Sequence, residues 1–275
     1  MMTSPQEEYA TVESQKGDHN NNNDDDINNK TPFIITKDNM TPIYFDENWD
    51  VGIGGGLWST GLCLSKYFLD HPKLLKQNLK NLLSKTSFSG IRAIELGSGN
   101  GLLSCCLAAV IGDVLDTLYV TDLADHLDLM KQTVLANPHI LRLENDCNNG
   151  IKNELSVKNH NNNNTTCCEP VKCHVMKHAW GEFELSGPLS KKFDFIFGSD
   201  VAYRDYLHEP LISSLLHFSH EHTISLIGVT MTDTKPIFFK SLREAGFRYD
   251  RIADHLMSEE FRGTTFGLFV ITKKT

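Results

Sequence analysis

The sequence lacks any long hydrophobic run. Its 275 residues contain no stretch of about 18 consecutive apolar residues, the length from which a membrane-spanning helix would be suspected. The first residues, Met1 to Glu8, have neither the basic start nor the apolar segment of a secretory signal peptide. We therefore expect a protein without membrane segments that works in the cytoplasm, or also in the nucleus.

Basic charge is scarce as well. The chain has 26 Lys and Arg against 35 Asp and Glu, which gives a net charge of -9. Proteins that bind phosphate backbones usually present a basic face. We therefore expect no nucleic-acid partner, whereas a basic protein partner remains compatible with this charge.

The cysteines lack the spacing of a disulfide framework. There are seven, an odd number, and several lie in apolar surroundings, which favours a reducing compartment. Cys167, Cys168 and Cys173 with His174 superficially resemble metal ligands. Their spacing is not Cys-x-x-Cys, and we predict no metal site.

Two segments contain almost no apolar residues. Residues 1–40 include an Asn-rich and Asp-rich run, and residues 145–166 form a second Asn-rich stretch. Such segments bury too little apolar surface to offset their ordering entropy. We expect a disordered tail over 1–40 and one domain over 41–275, with 145–166 as a loop insertion.

The rest of the chain alternates between strand and helix patterns. Short apolar runs predict strands at 91–96, 118–120, 171–176, 193–197, 223–229, 247–253 and 265–272. Helical spacing predicts helices at 60–69, 73–84, 101–111, 124–136, 205–218 and 236–245. This alternation predicts a doubly wound α/β fold with a mostly parallel, seven-stranded sheet and an antiparallel hairpin at its C-terminal edge.

A glycine-rich motif, Glu95 to Leu102, follows the first of these strands. Glycines at alternate positions (Gly97, Gly99, Gly101) let a ligand approach the backbone closely, although the motif alone is also compatible with a plain turn. A dinucleotide fingerprint would place another glycine at Leu102. Glu95, at the strand end, is within reach of a cationic ligand group, and Asp122, at the tip of the second strand, suits a ribose diol. S-adenosylmethionine carries an amino group, a sulfonium and a ribose but no phosphate, and fits this set.

A second polar group, Ser199 to Tyr203, follows the fourth strand. Ligands of open α/β sheets lie outside the carboxyl ends of the strands, at the point where the strand order reverses. This arrangement predicts that Asp200 and Tyr203 lie beside the reactive end of the cofactor.

Together these motifs resemble the seven-stranded S-adenosylmethionine-dependent methyltransferases. Among them, the sequence is similar to the small protein-lysine methyltransferases related to those that modify valosin-containing protein, Hsp70 and elongation factors. The similarity runs from about Gly54 to Lys273, interrupted by the Asn-rich stretch. It rests on Gly56-Leu57-Trp58-Ser59, Glu95 to Leu102, Thr121-Asp122, Ala179-Trp180-Gly181 and Ser199-Asp200-Val201-Ala202-Tyr203.

The resemblance implies a role for each matching residue. The cofactor-binding residues would be Trp58 lying over the cofactor, Gly97, Ser98 and Gly99 forming the amino-acid loop, Asp122 holding the ribose, Trp180 flanking the adenine and Ser199 contributing its backbone. Asp200 and Tyr203 would line the acceptor channel.

The expected function is methyl transfer from S-adenosylmethionine to a lysine side chain of another protein, by a monomeric enzyme. Asp200 either accepts the amine proton or stabilises the incoming ammonium, and Tyr203 walls the channel and orients the amine. The alternatives are a small-molecule N-methyltransferase and a non-catalytic binding module with the same fold. A nucleic-acid methyltransferase is disfavoured by the charge and by the absence of an Asn-Pro-Pro-aromatic stretch.

Overall fold

The computed structural model describes residues 32–33, 42–84, 90–144 and 169–274. The predicted tail lies outside these ranges except for Pro32 and Phe33, and the predicted insertion at 145–166 lies wholly outside them. Among the described residues, no helix is long and apolar enough to cross a membrane.

The centre of the molecule is an eight-stranded sheet. In chain order its strands are β3 (Ile91–Leu96), β4 (Leu115–Asp122), β5 (Leu141–Leu143), β6 (Val171–Lys177), β7 (Phe193–Ser199), β8 (Ser219–Thr230), β9 (Phe247–Arg251) and β10 (Phe266–Lys273). Their order across the sheet is β5-β6-β4-β3-β7-β8-β10-β9. A separate antiparallel pair, β1 (Pro32–Phe33) and β2 (Ile43–Tyr44), precedes them.

Six α-helices of the described residues cover the sheet. They are α1 (Ser59–Asp70), α2 (Pro72–Leu83), α3 (Leu102–Ile111), α4 (Leu127–Ala136), α5 (Asp205–Phe218) and α6 (Pro236–Glu244). The core residues of α1 to α4 pack in one cluster with Phe195 and Phe197 of β7. Those of α5 and α6 pack in a second cluster with Ile94 and Ile196. The sheet therefore has a hydrophobic layer on each face, as expected when parallel strands alternate with helices.

The predicted fold class is confirmed, with one strand more than predicted. The strands β3 to β8 all run parallel to one another, and β10 lies antiparallel to both β8 and β9. The additional strand is β5, whose three residues pair with the start of β6. A run this short gives no periodic signal in a sequence.

The strand order reverses at β3. On one side of β3 the sheet continues through β4, β6 and β5, and the chain then crosses to β7 on the other side of β3. The carboxyl ends of β3, β4 and β7 consequently meet at a topological switch point, which is where open α/β sheets bind ligands.

Asp194 of β7 lies at the opposite end of the sheet and contacts residues of both β3 and β8. Its buried carboxylate accepts a hydrogen bond from the backbone N–H of Arg92 on β3 at 2.8 Å, and it contacts Nε2 of His220 on β8 at 3.1 Å. The Arg92 guanidinium lies over the rings of Tyr119 and Phe193. These contacts set the relative position of the strands that carry the switch point.

We predict that Asp194→Ala lowers the free energy of unfolding by about 2–4 kcal/mol, because it leaves a buried N–H of β3 without its acceptor. Denaturant unfolding of the purified protein measures this loss. Asp250→Ala, at an exposed position on β9, is the control and should change stability by less than about 0.5 kcal/mol. An equal effect of the two substitutions would contradict the role assigned to Asp194.

Candidate functional site

A cavity of about 1080 Å³ opens at the switch point. Residues that the sequence analysis singled out from five separate segments of the chain line it together. They are Trp58, Glu95, Gly97, Ser98, Gly99, Asp122, Trp180, Ser199, Asp200 and Tyr203. This volume lies slightly above the range of about 300–1,000 Å³ that is common for pockets of small ligands and cofactors.

The glycine loop is held in a backbone conformation that favours glycine. Gly97 and Gly99 have φ values of 71° and 62°, in the left-handed region that other residues avoid. The N–H groups of Gly97 and Ser98 both donate to the carbonyl oxygen of Thr121 at 3.0 Å. These bonds tie the end of β3 to the end of β4 and leave the loop facing the cavity.

Trp180 packs directly on this loop. A Cβ atom on Gly97 would lie 2.8 Å from Cζ2 of the Trp180 ring, so the glycine provides the space for the indole. Trp180 follows β6, and its partly buried ring lines the cavity. On the other side of the loop, a Cβ on Gly99 would lie 2.2 Å from the carbonyl oxygen of Gly54. The loop is therefore covered by backbone on one side and by an aromatic ring on the other.

Glu95 is a buried carboxyl group at the base of the cavity, only 1% exposed. Ser98 donates a hydrogen bond to its Oε2 at 2.7 Å, and Ser104 donates to the same oxygen. Burial, together with the nearby charge of Asp122, raises the pKa of Glu95 to about 8, against the effect of the two serines. A cationic ligand group in the cavity would favour its ionised form.

Asp122 stands at the end of β4 with both carboxylate oxygens oriented. Oδ2 accepts the N–H of Gly99 at 2.7 Å, and Oδ1 accepts the N–H of Leu123 at 2.7 Å. Nδ1 of His126 lies 3.5 Å from Oδ1, longer than a good hydrogen bond. An oriented carboxylate of this kind can accept hydrogen bonds from a diol.

The entrance is bordered by the segment before α1. The indole N–H of Trp58 donates to the carbonyl oxygen of Ile53 at 2.8 Å, and the ring meets Trp49 edge-on at a centroid distance of 5.9 Å. Trp58 remains 42% exposed. Its position fixes where α1 begins relative to the cavity.

The remaining predicted residues lie at the end of β7. Ser199 is the last residue of β7 and lies beside α1, where a Cβ on Gly61 would be 3.2 Å from its Oγ. Asp200 has a φ of 52°, the only positive value at a non-glycine residue in the described ranges. Burial raises the pKa of Tyr203, and the Arg204 guanidinium, 5.6 Å from its ring centroid, lowers it.

Asp200 makes contacts that the sequence did not predict. Its Oδ1 accepts hydrogen bonds from the hydroxyls of Thr60 at 2.8 Å and Thr230 at 3.0 Å. Burial raises the pKa of Asp200 overall, and the two hydroxyls act in the opposite direction. Both threonines are far from Asp200 in the sequence, and neither belongs to a recognisable motif.

Two further cavity residues were also missed, Asn100 and His126. Asn100 Oδ1 accepts the N–H of Leu102 at 3.1 Å, whereas its Nδ2 is buried without a hydrogen-bond partner. His126 is 7% exposed, and neither ring nitrogen has a hydrogen-bond partner. Buried polar groups are normally satisfied, and both residues line the cavity.

Within the described ranges, no group of three or more His, Cys, Asp or Glu residues could hold a metal ion. Cys173 is buried in β6 with a free thiol. Cys167 and Cys168 lie outside the described residues.

Comparison with known proteins adds an independent line of evidence. The sequence model described as lysine methyltransferase matches residues 37–151. The chain is 22% identical over 213 residues to the protein N-lysine methyltransferase METTL21A of Mus musculus, covering 76% of each chain. It is 29% identical over 89 residues to the protein-lysine N-methyltransferase EFM2 of Saccharomyces cerevisiae, covering 31% of this chain and 21% of the yeast protein.

Two solved structures with a similar chain path are distant in sequence. The ribosomal protein L11 methylase of Lactobacillus delbrueckii subsp. bulgaricus has a TM-score of 0.44 at 14% identity, covering 72% of this chain and 78% of its own. The TehB-like methyltransferase of Corynebacterium glutamicum has a TM-score of 0.45 at 15% identity, covering 72% and 88%. The fold assignment rests on the strand order and not on these scores.

The fold is a Rossmann-like α/β fold, with a mostly parallel sheet and antiparallel C-terminal strands. Over residues 37–151 the chain is similar to the lysine methyltransferase family, and it is distantly similar to METTL21A and EFM2.

The buried Glu95 leads to a prediction about stability and pH. Its folded-state pKa of about 8 lies above the ordinary value of 4.5, so the folded state binds this proton more tightly than the unfolded state. The contribution to stability is complete below about pH 4.5 and is lost as the pH rises through 8. Relative to Glu95→Gln, which keeps an acceptor for Ser98 and Ser104, the wild type should lose on the order of a few kcal/mol across this range.

Urea unfolding of both proteins between pH 5 and pH 9 tests this prediction. Glu221→Gln, at an exposed position, controls for the removal of one carboxylate. A stability difference between wild type and Glu95→Gln that stays constant over the whole range would show that Glu95 is not buried in the way described.

Proposed function

We propose that this protein binds S-adenosylmethionine in the cavity at the switch point and transfers its methyl group to a lysine side chain of another protein. One observation carries the proposal. Ten residues from distant segments line a single cavity, among them the glycine loop, Glu95 and Asp122 together with Asp200 and Tyr203. The match of residues 37–151 to the lysine methyltransferase model, and the similarity to a protein N-lysine methyltransferase, support the choice of acceptor.

The residues present fit the cofactor. Glu95 would face its amino group, and the Gly97–Gly99 loop would accommodate its amino-acid portion without a side-chain clash. The oriented carboxylate of Asp122 would accept the ribose hydroxyls, and Trp180 would flank the adenine through its ring. The unpartnered ring nitrogens of His126 supply further hydrogen-bonding capacity at this end.

When bound, S-adenosylmethionine supplies a methyl group activated by an adjacent sulfonium. The protein's own contribution is to position the acceptor and to handle its proton. A lysine amine with an ordinary pKa near 10.4 arrives protonated at neutral pH. The Asp200 carboxylate would attract this ammonium and either orient it or take up its proton, and Tyr203 would form a wall of the channel that keeps the amine in line.

A protein acceptor is supported by the rim of the cavity. Four large side chains that line it remain exposed, Ile53 by 53%, Trp58 by 42%, Leu123 by 51% and Tyr206 by 73%. Exposed apolar groups around a cavity mark surfaces that dock a macromolecule. A small acceptor enclosed in the cavity would leave this rim in water, so this observation favours a protein over a small molecule.

We further propose that the protein acts as a monomer in the cytoplasm, or also in the nucleus. The cysteines support the proposed compartment. Cys63, Cys105, Cys106 and Cys173 are all free and buried, as in proteins of a reducing compartment.

The cofactor is tested by thermal unfolding with S-adenosylhomocysteine, with NAD as the control ligand. Binding to the native state at one hundred times Kd adds about 2.7 kcal/mol, which raises Tm by roughly 5–11 °C for a domain of this size. Asp122→Ala should lose most of this shift, because it removes the acceptor for the ribose. Asp125→Ala, exposed three residues further on, is the matched control and should keep it.

Two outcomes would contradict the proposal. One is a folded wild-type protein whose Tm does not respond to S-adenosylhomocysteine, which would favour a non-catalytic binding module. The other is an equal shift with NAD, which would assign the cavity to a different cofactor.

A further inference from the structure

Asp200 lies in a cluster of three side chains from three elements. Thr60 comes from the first turn of α1, Thr230 is the last residue of β8, and Asp200 follows β7. Their oxygens form a triangle. The distances are 2.8 Å from Thr60 Oγ1 to Asp200 Oδ1, 3.0 Å from Thr230 Oγ1 to Asp200 Oδ1, and 3.0 Å between the two hydroxyls.

The backbone around Asp200 is fixed as well. Its N–H donates to the carbonyl oxygen of Gly228 at 3.0 Å, and its left-handed φ of 52° is an uncommon conformation that requires support from its surroundings. Gly228 in turn leaves space for Thr60, because a Cβ there would lie 2.8 Å from Thr60 Cγ2. Neighbouring groups therefore constrain both the main chain and the side chain of Asp200.

The cluster also lies at the N-terminus of α1. Trp58 precedes this helix and provides no side-chain cap, so the free N–H groups of the first turn lack the usual local acceptor. The positive end of a helix dipole stabilises an anion. A carboxylate contacting Thr60, the second residue of α1, takes the place of the missing cap from a distant part of the chain.

Both hydroxyls donate to the same oxygen. Among the described residues, Oδ2 receives no hydrogen bond from a side chain, although the main-chain N–H of Thr60 also interacts with the carboxylate, and Asp200 lines the cavity. A carboxylate whose one oxygen is already hydrogen-bonded has a defined direction for its second oxygen. This asymmetry is what a group that orients an incoming cation requires.

We propose that Thr60 and Thr230 are positioning residues, which hold one carboxylate oxygen of Asp200 so that the other receives the ammonium group of the acceptor lysine. This inference rests on the function proposed above. It also selects between the two roles considered for Asp200, and it assigns Asp200 to orientation and charge stabilisation of the amine. The proton is then released to water.

The electrostatics around the carboxylate agree with this assignment. Burial and the neighbouring Asp233 raise the pKa of Asp200, and the hydrogen bonds from Thr60 and Thr230 act against both. Cys63, one turn further along α1, is a buried thiol whose own pKa is raised to about 12, and it therefore stays uncharged at neutral pH. Removing the two hydroxyls would leave Asp200 less ionised as well as less ordered.

The test compares two ligands that need no acceptor protein. S-adenosylhomocysteine occupies the cofactor site without a group at the transferred methyl. Sinefungin carries a primary amine at that position, protonated at neutral pH, and therefore probes the acceptor end of the cavity. The ratio of their Kd values, measured by calorimetry, isolates the contribution of Asp200.

In the wild type sinefungin should bind more tightly than S-adenosylhomocysteine. We predict that Thr60→Val and Thr230→Val each reduce this preference, and that the double variant reduces it by about three- to tenfold, because charge-assisted hydrogen bonds are the strong ones. The Kd of S-adenosylhomocysteine should change by less than about twofold. Thr60→Ser and Thr230→Ser keep the hydroxyls and should therefore retain the wild-type preference for sinefungin. Asp200→Asn should abolish this preference.

A control addresses loss of stability. Thr223 lies near the other end of β8, where its buried hydroxyl donates to the carbonyl oxygen of Phe193. Thr223→Val removes a comparable buried hydrogen bond from the same strand and should leave the ligand preference unchanged.

The outcomes separate the two proposals. An unchanged preference in the Thr60→Val/Thr230→Val double variant would overturn the positioning role, and so would an equal loss of affinity for both ligands, which indicates a purely structural role. If the wild type binds neither ligand, the proposed function itself fails, and the role of the two threonines fails with it.

Discussion

The whole site depends on the hydrogen bonds that join the end of β3 to the end of β4. The N–H groups of Gly97 and Ser98 share the carbonyl oxygen of Thr121, and the N–H of Gly99 donates to Asp122. Only a backbone with positive φ at alternate residues allows these bonds, and glycine is the residue that adopts it at little cost. The loop is thereby held open towards the cavity, and Glu95 is enclosed beneath it.

The start of α1 connects the two ends of the cavity. Trp58 immediately precedes this helix and borders the proposed cofactor end, while Thr60, two residues later, donates to Asp200 at the proposed acceptor end. A change in where α1 begins would therefore affect both ends together. The segment ahead of the helix also touches the loop, since a Cβ on Gly99 would lie 2.2 Å from the carbonyl oxygen of Gly54.

The fold, and the residues that line the cavity, could be predicted from the sequence for a physical reason. Parallel strands with helical crossovers bring their carboxyl ends to one edge, so polar residues after β3, β4, β6 and β7 must converge. The ten predicted residues all line the cavity, although their individual roles remain proposals. The helix breaks were also predictable, because Pro72 and Pro236 are the first residues of α2 and α6.

What could not be predicted depends on distant contacts. Thr60 and Thr230 are ordinary helix-start and strand-end residues, and their role comes from a partner 140 and 30 residues away, respectively. The unpartnered ring of His126 has no sequence signal either, since burial without a partner is a property of the folded chain. The left-handed backbone conformation of Asp200 could not be predicted either, because the presence of an aspartate in a sequence does not determine its φ angle.

The central claim is methyl transfer to lysine, and its most direct test is to incubate the full chain with S-adenosylmethionine carrying a labelled methyl group and a cell extract as acceptor. Mass spectrometry then locates the label. The account predicts label on lysine side chains of one or a few proteins, absent with Asp122→Ala and retained with Asp125→Ala. A wild-type protein that binds S-adenosylhomocysteine but labels no lysine, or labels only small molecules, would contradict it.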